Sequence, residues 1–171
     1  LRKAYGTPVL FKVGDATQLV SVGSRAAFGY DARTGKEIWT VTHAGYNAAV
    51  RPVANDSTVF LYTGYPNAHL VALKVDAATK GDVTSKTLWD RPKYNADLAS
   101  AVLVNNHIFH SSGAGIGVCV NLADGTDAWS ERLFIGAGKV IASAIATSEF
   151  VYFFNEAGDA TVVAAKPEFK V

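Results

Sequence analysis

The chain contains no methionine and a single cysteine, and it carries neither an excess of one charge nor a long uncharged apolar run. With one cysteine, Cys119, there is no internal disulfide to mark an oxidising compartment, and a buried inert thiol is the expected state. Sixteen Lys and Arg against fifteen Asp and Glu leave a formal charge of +1. That balance gives no electrostatic case for nucleic acid or an anionic membrane as partner. The most apolar stretch, residues 140–154, is interrupted by Ser143, Thr147, Ser148 and Glu149, and falls short of the roughly 18 uncharged residues of a spanning helix. Long amphipathic helical periodicity is missing too, which excludes the helical repeat arrays. Beginning at Leu1 without methionine, the chain is expected to be a processed or truncated product from which any signal peptide has gone.

What the sequence does have is apolar content, 49% of residues, enough to bury a core and so to exclude disorder. It also repeats. Units open at Thr7-Pro8-Val9-Leu10, Arg51-Pro52-Val53-Ala54, Ser100-Ala101-Val102-Leu103 and Ser143-Ala144-Ile145-Ala146, spaced by 44, 49 and 43 residues. About 40 to 45 residues is the period of a four-stranded propeller blade. In the third unit, Ala101–Val104 reads as a first strand, Asn105-Asn106 as a two-residue turn and His107–Ser111 as a second strand. After Gly113, Gly115 and Gly117, Val118–Val120 is a third, and a fourth carries Trp129. The first unit has the same parts at Val9–Lys12, Leu19–Val22, Ala26–Tyr30 and Glu37–Val41. The last unit lacks its fourth strand. The fold class is therefore all-β, a β-propeller of four-stranded antiparallel blades forming an incomplete arc of a larger ring. Its units are about 7–50, 51–99, 100–142 and 143–171, and residues 1–6 are the tail of a preceding blade.

Before each tryptophan stands a turn led by a short polar residue: Asp31 to Trp39, Asp76 to Trp89, Asn121 to Trp129. Asp or Asn can accept hydrogen bonds from the turn's own amides, and Gly35 or Gly125 can take positive φ without steric cost. The first and third spacings are eight residues and the second is thirteen, an insertion of five near Gly81–Ser85. A hairpin-tip insertion is expected to run outward into solvent.

The segment Tyr30-Asp-Ala-Arg-Thr-Gly-Lys-Glu-Ile-Trp39, with its weaker copy Val120-Asn-Leu-Ala-Asp-Gly-Thr-Asp-Ala-Trp129, resembles the repeat of the pyrroloquinoline-quinone-type propellers. The resemblance covers nearly the whole chain. It implies that Trp39, Trp89 and Trp129 dock between neighbouring blades and are mostly buried, which is also what large apolar rings at a fixed register favour. It does not bring the enzyme with it. Quinoprotein dehydrogenases of the superfamily hold the quinone over calcium and typically stack it on an adjacent-cysteine disulfide, whereas Cys119 is flanked by Val118 and Val120. No residues match the calcium ligands. The expectation is thus no catalytic residue, no cofactor-binding residue, no metal ligand and no cofactor. Non-catalytic members, including a lipoprotein that helps assemble outer-membrane barrels, are the better analogy.

Other motifs read as structural. Gly113-Ala-Gly-Ile-Gly117 lacks the third glycine of a dinucleotide loop, since Val118 stands there, and no helix follows. Gly138-Lys139 lacks both ends of a phosphate loop, with Leu133 and Val140 in place of the required residues. His107 and His110, three apart on a strand, point to opposite faces and cannot share a metal without a bulge. Asn55-Asp-Ser57 fits a glycosylation acceptor at a turn. Tyr46, Tyr62, Tyr65 and Tyr94 are candidates for a recognition face or for packing between blades.

These readings lead to a non-catalytic, extracytoplasmic interaction scaffold, periplasmic or secreted by resemblance. Its blade-end loops would meet protein or polysaccharide partners, and the remaining blades or a second copy would cover its ends, with no nucleic acid and no membrane span. The alternatives are a fragment of a quinone-dependent dehydrogenase whose cofactor ligands lie in other blades, and the sensor propeller of a larger receptor or kinase.

Overall fold

A computed structural model describes residues 3–92, 98–135 and 138–171, and the statements below concern these. They form β-strands and one short 3-10 turn, Thr84–Lys86. No helix among them is long and apolar enough to cross a membrane. The chain divides into two compact units, Leu1–Tyr94 and Asn95–Val171.

In the first unit the strands are β1 (Lys3–Ala4), β2 (Val9–Val13), β3 (Ala16–Val22), β4 (Ala26–Asp31), β5 (Glu37–Thr42), β6 (Asn47–Ala48), β7 (Val53–Ala54), β8 (Thr58–Tyr62), β9 (His69–Lys74), β10 (Gly81–Asp82) and β11 (Thr87–Pro92). β2 to β5 form an antiparallel meander, and β7, β8, β9 and β11 form a second one. Alternation explains β3, where Gln18, Val20 and Val22 are buried and the residues between them are not. β8 is buried at every position, so it reads as an unbroken Thr-Val-Phe-Leu-Tyr run rather than an alternating one. Phe11, Val20, Val22, Trp39 and Val41 of one sheet and Val59, Leu61, Val71 and Leu73 of the next close into one core. Sheets facing each other across apolar side chains are the propeller's blade contact.

Two features of this unit come from pairing between distant segments. β1 lies parallel to β6, Lys3 opposite Asn47 and Ala4 opposite Ala48. The insertion near Gly81–Ser85 does not run out into solvent. Gly81 and Asp82 pair in parallel with Trp39 and Thr40 of β5, the Val83 amide donates to the Thr40 carbonyl at 2.9 Å, and the Val83 side chain is buried in the core. An outer strand's free amides and carbonyls are costly to leave as an open edge, and the five extra residues cover part of that edge while burying one valine.

In the second unit, β12 (Val102–Val104), β13 (His107–Ser111), β14 (Ile116–Asn121) and β15 (Asp127–Arg132) form a four-stranded antiparallel meander. β16 (Ile145–Ala146), β17 (Phe150–Phe154) and β18 (Ala160–Ala164) form a three-stranded one. Asn105 and Asn106, with φ of 50° and 59°, make the two-residue turn between β12 and β13 in the conformation hairpin twist favours. The Asn105 side-chain amide also donates to the Ser148 carbonyl at 2.7 Å and the Ala165 carbonyl at 3.0 Å, tying the two sheets. Phe109, Trp129, Phe134, Val151, Phe153 and Val163 are the heart of the core between them.

Candidate functional site

The acidic turns are structural. Asp31 Oδ1 accepts from the Arg33 and Thr34 amides and the Thr34 hydroxyl, and Gly35 sits at φ 70°. Asp76 accepts from the Ala78 amide and the Thr79 hydroxyl. In the third repeat the acceptor role passes to Asp124, which takes the Thr126 amide and hydroxyl, while the Asn121 amide donates to the same hydroxyl. Hydrogen bonds from the threonines, above all, hold the Asp31 and Asp76 carboxyls below the ordinary carboxylate range.

The tryptophans divide. Trp39 is fully buried and its indole N–H donates to Gln18 Oε1 at 2.8 Å. Trp129 is 7% exposed, donates to the Lys166 carbonyl at 3.2 Å and packs edge-on against Phe169. Trp89, expected to be buried as well, is only half-buried, against Phe60. The sheet after β5 covers Trp39 and the segment after β18 covers Trp129, whereas within the first unit Trp89 lies on the outer strand β11 with its ring against Phe60.

Two of the recesses of the first unit bring histidine or tyrosine side chains together. One, of about 130 Å³, is lined by Thr42, His43, His69, Thr84, Asp90 and neighbours. His69 Nδ1 meets Asp90 Oδ1 at 2.5 Å. Burial holds the His43 imidazole below its usual pKa, partly offset by the nearby Ala26 and Gly45 backbone. Thr84 donates to Asp82 at 2.6 Å and accepts from the Thr42 amide, so its hydroxyl is engaged away from the histidines. The recess thus holds a histidine with an orienting carboxylate, His69 and Asp90. Among the described residues no cluster of three or more His, Cys, Asp or Glu is placed to hold a metal.

The second recess, of about 450 Å³, is lined by Lys3, Tyr5, Tyr46, Asn47 and Tyr65. Tyr46 and Tyr65 are therefore brought together, their rings edge to face at 6.2 Å. Tyr62 is instead buried in the core, where burial pushes its phenol above the usual pKa; Tyr94 lies outside the described residues. Sequence reasoning missed Tyr5 and Asn47, which meet Tyr46 and Tyr65 only through pairing between segments 18 to 44 positions apart, Asn47 with Tyr65 and with Lys3.

The remaining motifs are structural. The run from Gly113 to Gly117 is the turn into β14, closed by Ser112 N–H to the Ile116 carbonyl. Gly138-Lys139 links strands, with the Lys139 amide on the Glu156 carboxylate. Asn55 Oδ1 accepts from the Ser57 and Thr58 amides, capping its own turn. His107 is half-buried with Nδ1 on the Asn105 carbonyl. His110 is fully enclosed, and burial pushes it down to about 3.

The quinone implied by the resemblance can be tested against these residues. Cys119 lies opposite Trp129 on the β14–β15 ladder, fully buried. Burial, with smaller contributions from Asp127 and Glu168, pushes its thiol up to about 12. It provides neither an adjacent-cysteine disulfide nor a thiolate, and the residues present do not fit that cofactor.

A tetrathionate hydrolase of Acidithiobacillus ferrooxidans is 25% identical over 166 residues, covering 87% of this chain and 33% of that protein. BamB from Moraxella catarrhalis superposes with a TM-score of 0.67 at 14% identity, over 97% of this chain and 51% of that one. The quinohemoprotein alcohol dehydrogenase ADHIIG from Pseudomonas putida HK5 does so with a TM-score of 0.65 at 12% identity, over 94% of this chain and 29% of that one. The chain thus spans about half of the BamB chain and a third or less of the other two. A family model described as outer membrane protein assembly factor BamB matches residues 23–168, and the chain accordingly belongs to this pyrroloquinoline-quinone-like β-propeller repeat family.

Proposed function

We propose that the chain is a non-catalytic member of the family, an interaction scaffold working outside the cytoplasm, in the periplasm or secreted. Its blade units run about 7–50, 51–99, 100–142 and 143–171, with residues 1–6 closing a preceding blade. Loops at the blade ends meet protein or polysaccharide partners. The observation that carries this reading is Cys119, the single cysteine of the chain, enclosed opposite Trp129 and so without the adjacent cysteine that the quinone enzymes resembled by the repeat use. The match to a family described by an assembly factor supports it. The likeness to a hydrolase and to a dehydrogenase favours a second reading, in which the chain is part of an enzyme whose reacting groups lie in other blades.

The test is a titration of the chain with pyrroloquinoline quinone and calcium, followed by absorbance and dye-linked alcohol oxidation. The scaffold reading expects no saturable change and no turnover. Stoichiometric quinone binding would overturn it.

A further inference from the structure

Within each unit one sheet covers the other through the same pair of side-chain rows. In the first unit Val9, Val20, Gly29 and Trp39 stand opposite one another across β2 to β5, and Val59 and Leu73, paired across β8 and β9, share their core. In the second unit the corresponding row is Val102, Phe109, Cys119 and Trp129, and Val151 and Val163, paired across β17 and β18, share its core. Successive side chains of a strand point to opposite faces. Val59 and Leu73 stand one position from Phe60 and Ala72 of their own sheet's tryptophan row, and Val151 and Val163 stand one position from Tyr152 and Val162. In both units, therefore, the tryptophan-row face of one sheet meets the opposite face of the next.

A complementary pair of faces lies outside these cores and keeps apolar side chains exposed. On the β2–β5 sheet, Leu10, Leu19 and Tyr30 lie opposite one another, and Phe28 stacks on Tyr30 at 6.0 Å. Leu19 and Tyr30 stand beside Val20 and Gly29 as Val59 and Leu73 stand beside Phe60 and Ala72, so this is a covering face with nothing from its own unit's core beneath it. On the β16–β18 sheet, Ile145, Tyr152 and Val162 form the row that corresponds to Val102, Phe109 and Cys119. Leu10, Ile145 and Phe150 are 60%, 58% and 43% exposed, and Leu19, Tyr30, Tyr152 and Val162 are only partly buried. Phe150, Val162, Ala164 and Val171 line an open recess of about 760 Å³ on the second face. Large apolar groups gathered on an exposed face mark an association site. The repeat states what covers such a row: the opposite face of another sheet, which the chain itself carries exposed at Leu10, Leu19, Phe28 and Tyr30. We propose that the β16–β18 face docks on the β2–β5 face of a second copy of this chain, extending between copies the contact that each unit makes internally. Unlike faces meet, so the contact is heterologous, and it closes a ring of copies or propagates.

This inference goes beyond the scaffold reading and does not depend on it, since the repeat register sets both faces whatever the quinone titration shows. The experiment is light scattering with sedimentation equilibrium on the full chain, on Leu10→Glu, on Phe150→Glu and on an equimolar mixture of the two variants, at about 10 to 100 μM. The chain is expected to show the mass of two or more copies. Each variant should associate about tenfold more weakly or less. Mixing should restore pairs holding one copy of each, because Leu10→Glu keeps its β16–β18 face and Phe150→Glu its β2–β5 face. Tyr65→Ser, exposed in the first unit but on neither face, should leave the mass unchanged. Leu10 and Phe150 are exposed, so the unfolding midpoints of the variants should not move; where a charge lowers one, Leu10→Ser and Phe150→Ser take its place. A monomeric chain, undiminished association of either variant alone, or a mixture that stays monomeric would overturn the assignment.

Discussion

Each tryptophan of the repeat faces a small residue across its ladder: Gly29 opposite Trp39, Ala72 opposite Trp89 and Cys119 opposite Trp129. The reason is room for the indole. A Cβ on Gly29 would lie 2.0 Å from Trp39 Cε2, so in the first blade even a methyl group is too much. In the third, Trp129 packs instead toward Phe109 and Phe169, and a thiol fits beneath. Cys119 is thus a filler of the same pocket that Gly29 leaves open. Gly29→Ala should destabilise the chain by about 1 to 3 kcal/mol through overpacking, and Trp39→Ala by about 3 to 5 kcal/mol through the cavity it leaves. Denaturant midpoints measure both, and an unchanged midpoint for Gly29→Ala would place the ring elsewhere. Gln18 completes this site. Its signal was present in the sequence, a polar residue at an inward position of an alternating strand, but only the fold supplies the indole N–H that it accepts.

At the scale of the element, β13 shows what burial on both faces does to a titratable group. His110 is enclosed, and its imidazole is pushed down to about 3, whereas the unfolded chain protonates it near pH 6.5. Between those values the unfolded state binds the extra proton, so stability falls as pH falls through this window. The expected loss from this group is about 1 to 2 kcal/mol between pH 7 and pH 5, read as a drop in denaturant midpoint that His110→Phe reduces. A midpoint flat across that range would mean that the imidazole is hydrated. The turn carboxylates of Asp31 and Asp76 work in the same direction further down, since their native pKa values are depressed and their contribution disappears only as acid protonates them. The insertion at β10 is a second lesson at this scale. Its length was legible as thirteen residues against eight, but its destination was set by the free edge of β5 and the apolar site that receives Val83.

For the molecule as a whole, strand edges and exposed apolar groups predict association. β18 is the outer strand of a three-stranded sheet, and Leu88, Ile145 and Phe150 are 54%, 58% and 43% exposed. Open edges beside apolar side chains are templates for pairing with another chain. The isolated chain is expected to oligomerise in solution, with light scattering showing a mass above that of one chain. A compact monomer that unfolds in one cooperative step would show that its own residues cover those edges.

The sequence by itself determined the strands, the turns and the repeat, because these depend on nearby residues: alternation sets the faces, and Asp, Asn and Gly set backbone angles within four or five positions. From them followed the all-β repeat fold and the family resemblance. Only the tertiary structure decided that Trp89 stays half-covered while Trp39 is sealed, that the insertion folds back on β5, and that Tyr5, Tyr46 and Tyr65 gather around Asn47. Each of those outcomes depends on which distant backbone segments touch, and the glycines that permit the contact look the same in sequence as glycines that merely turn the chain.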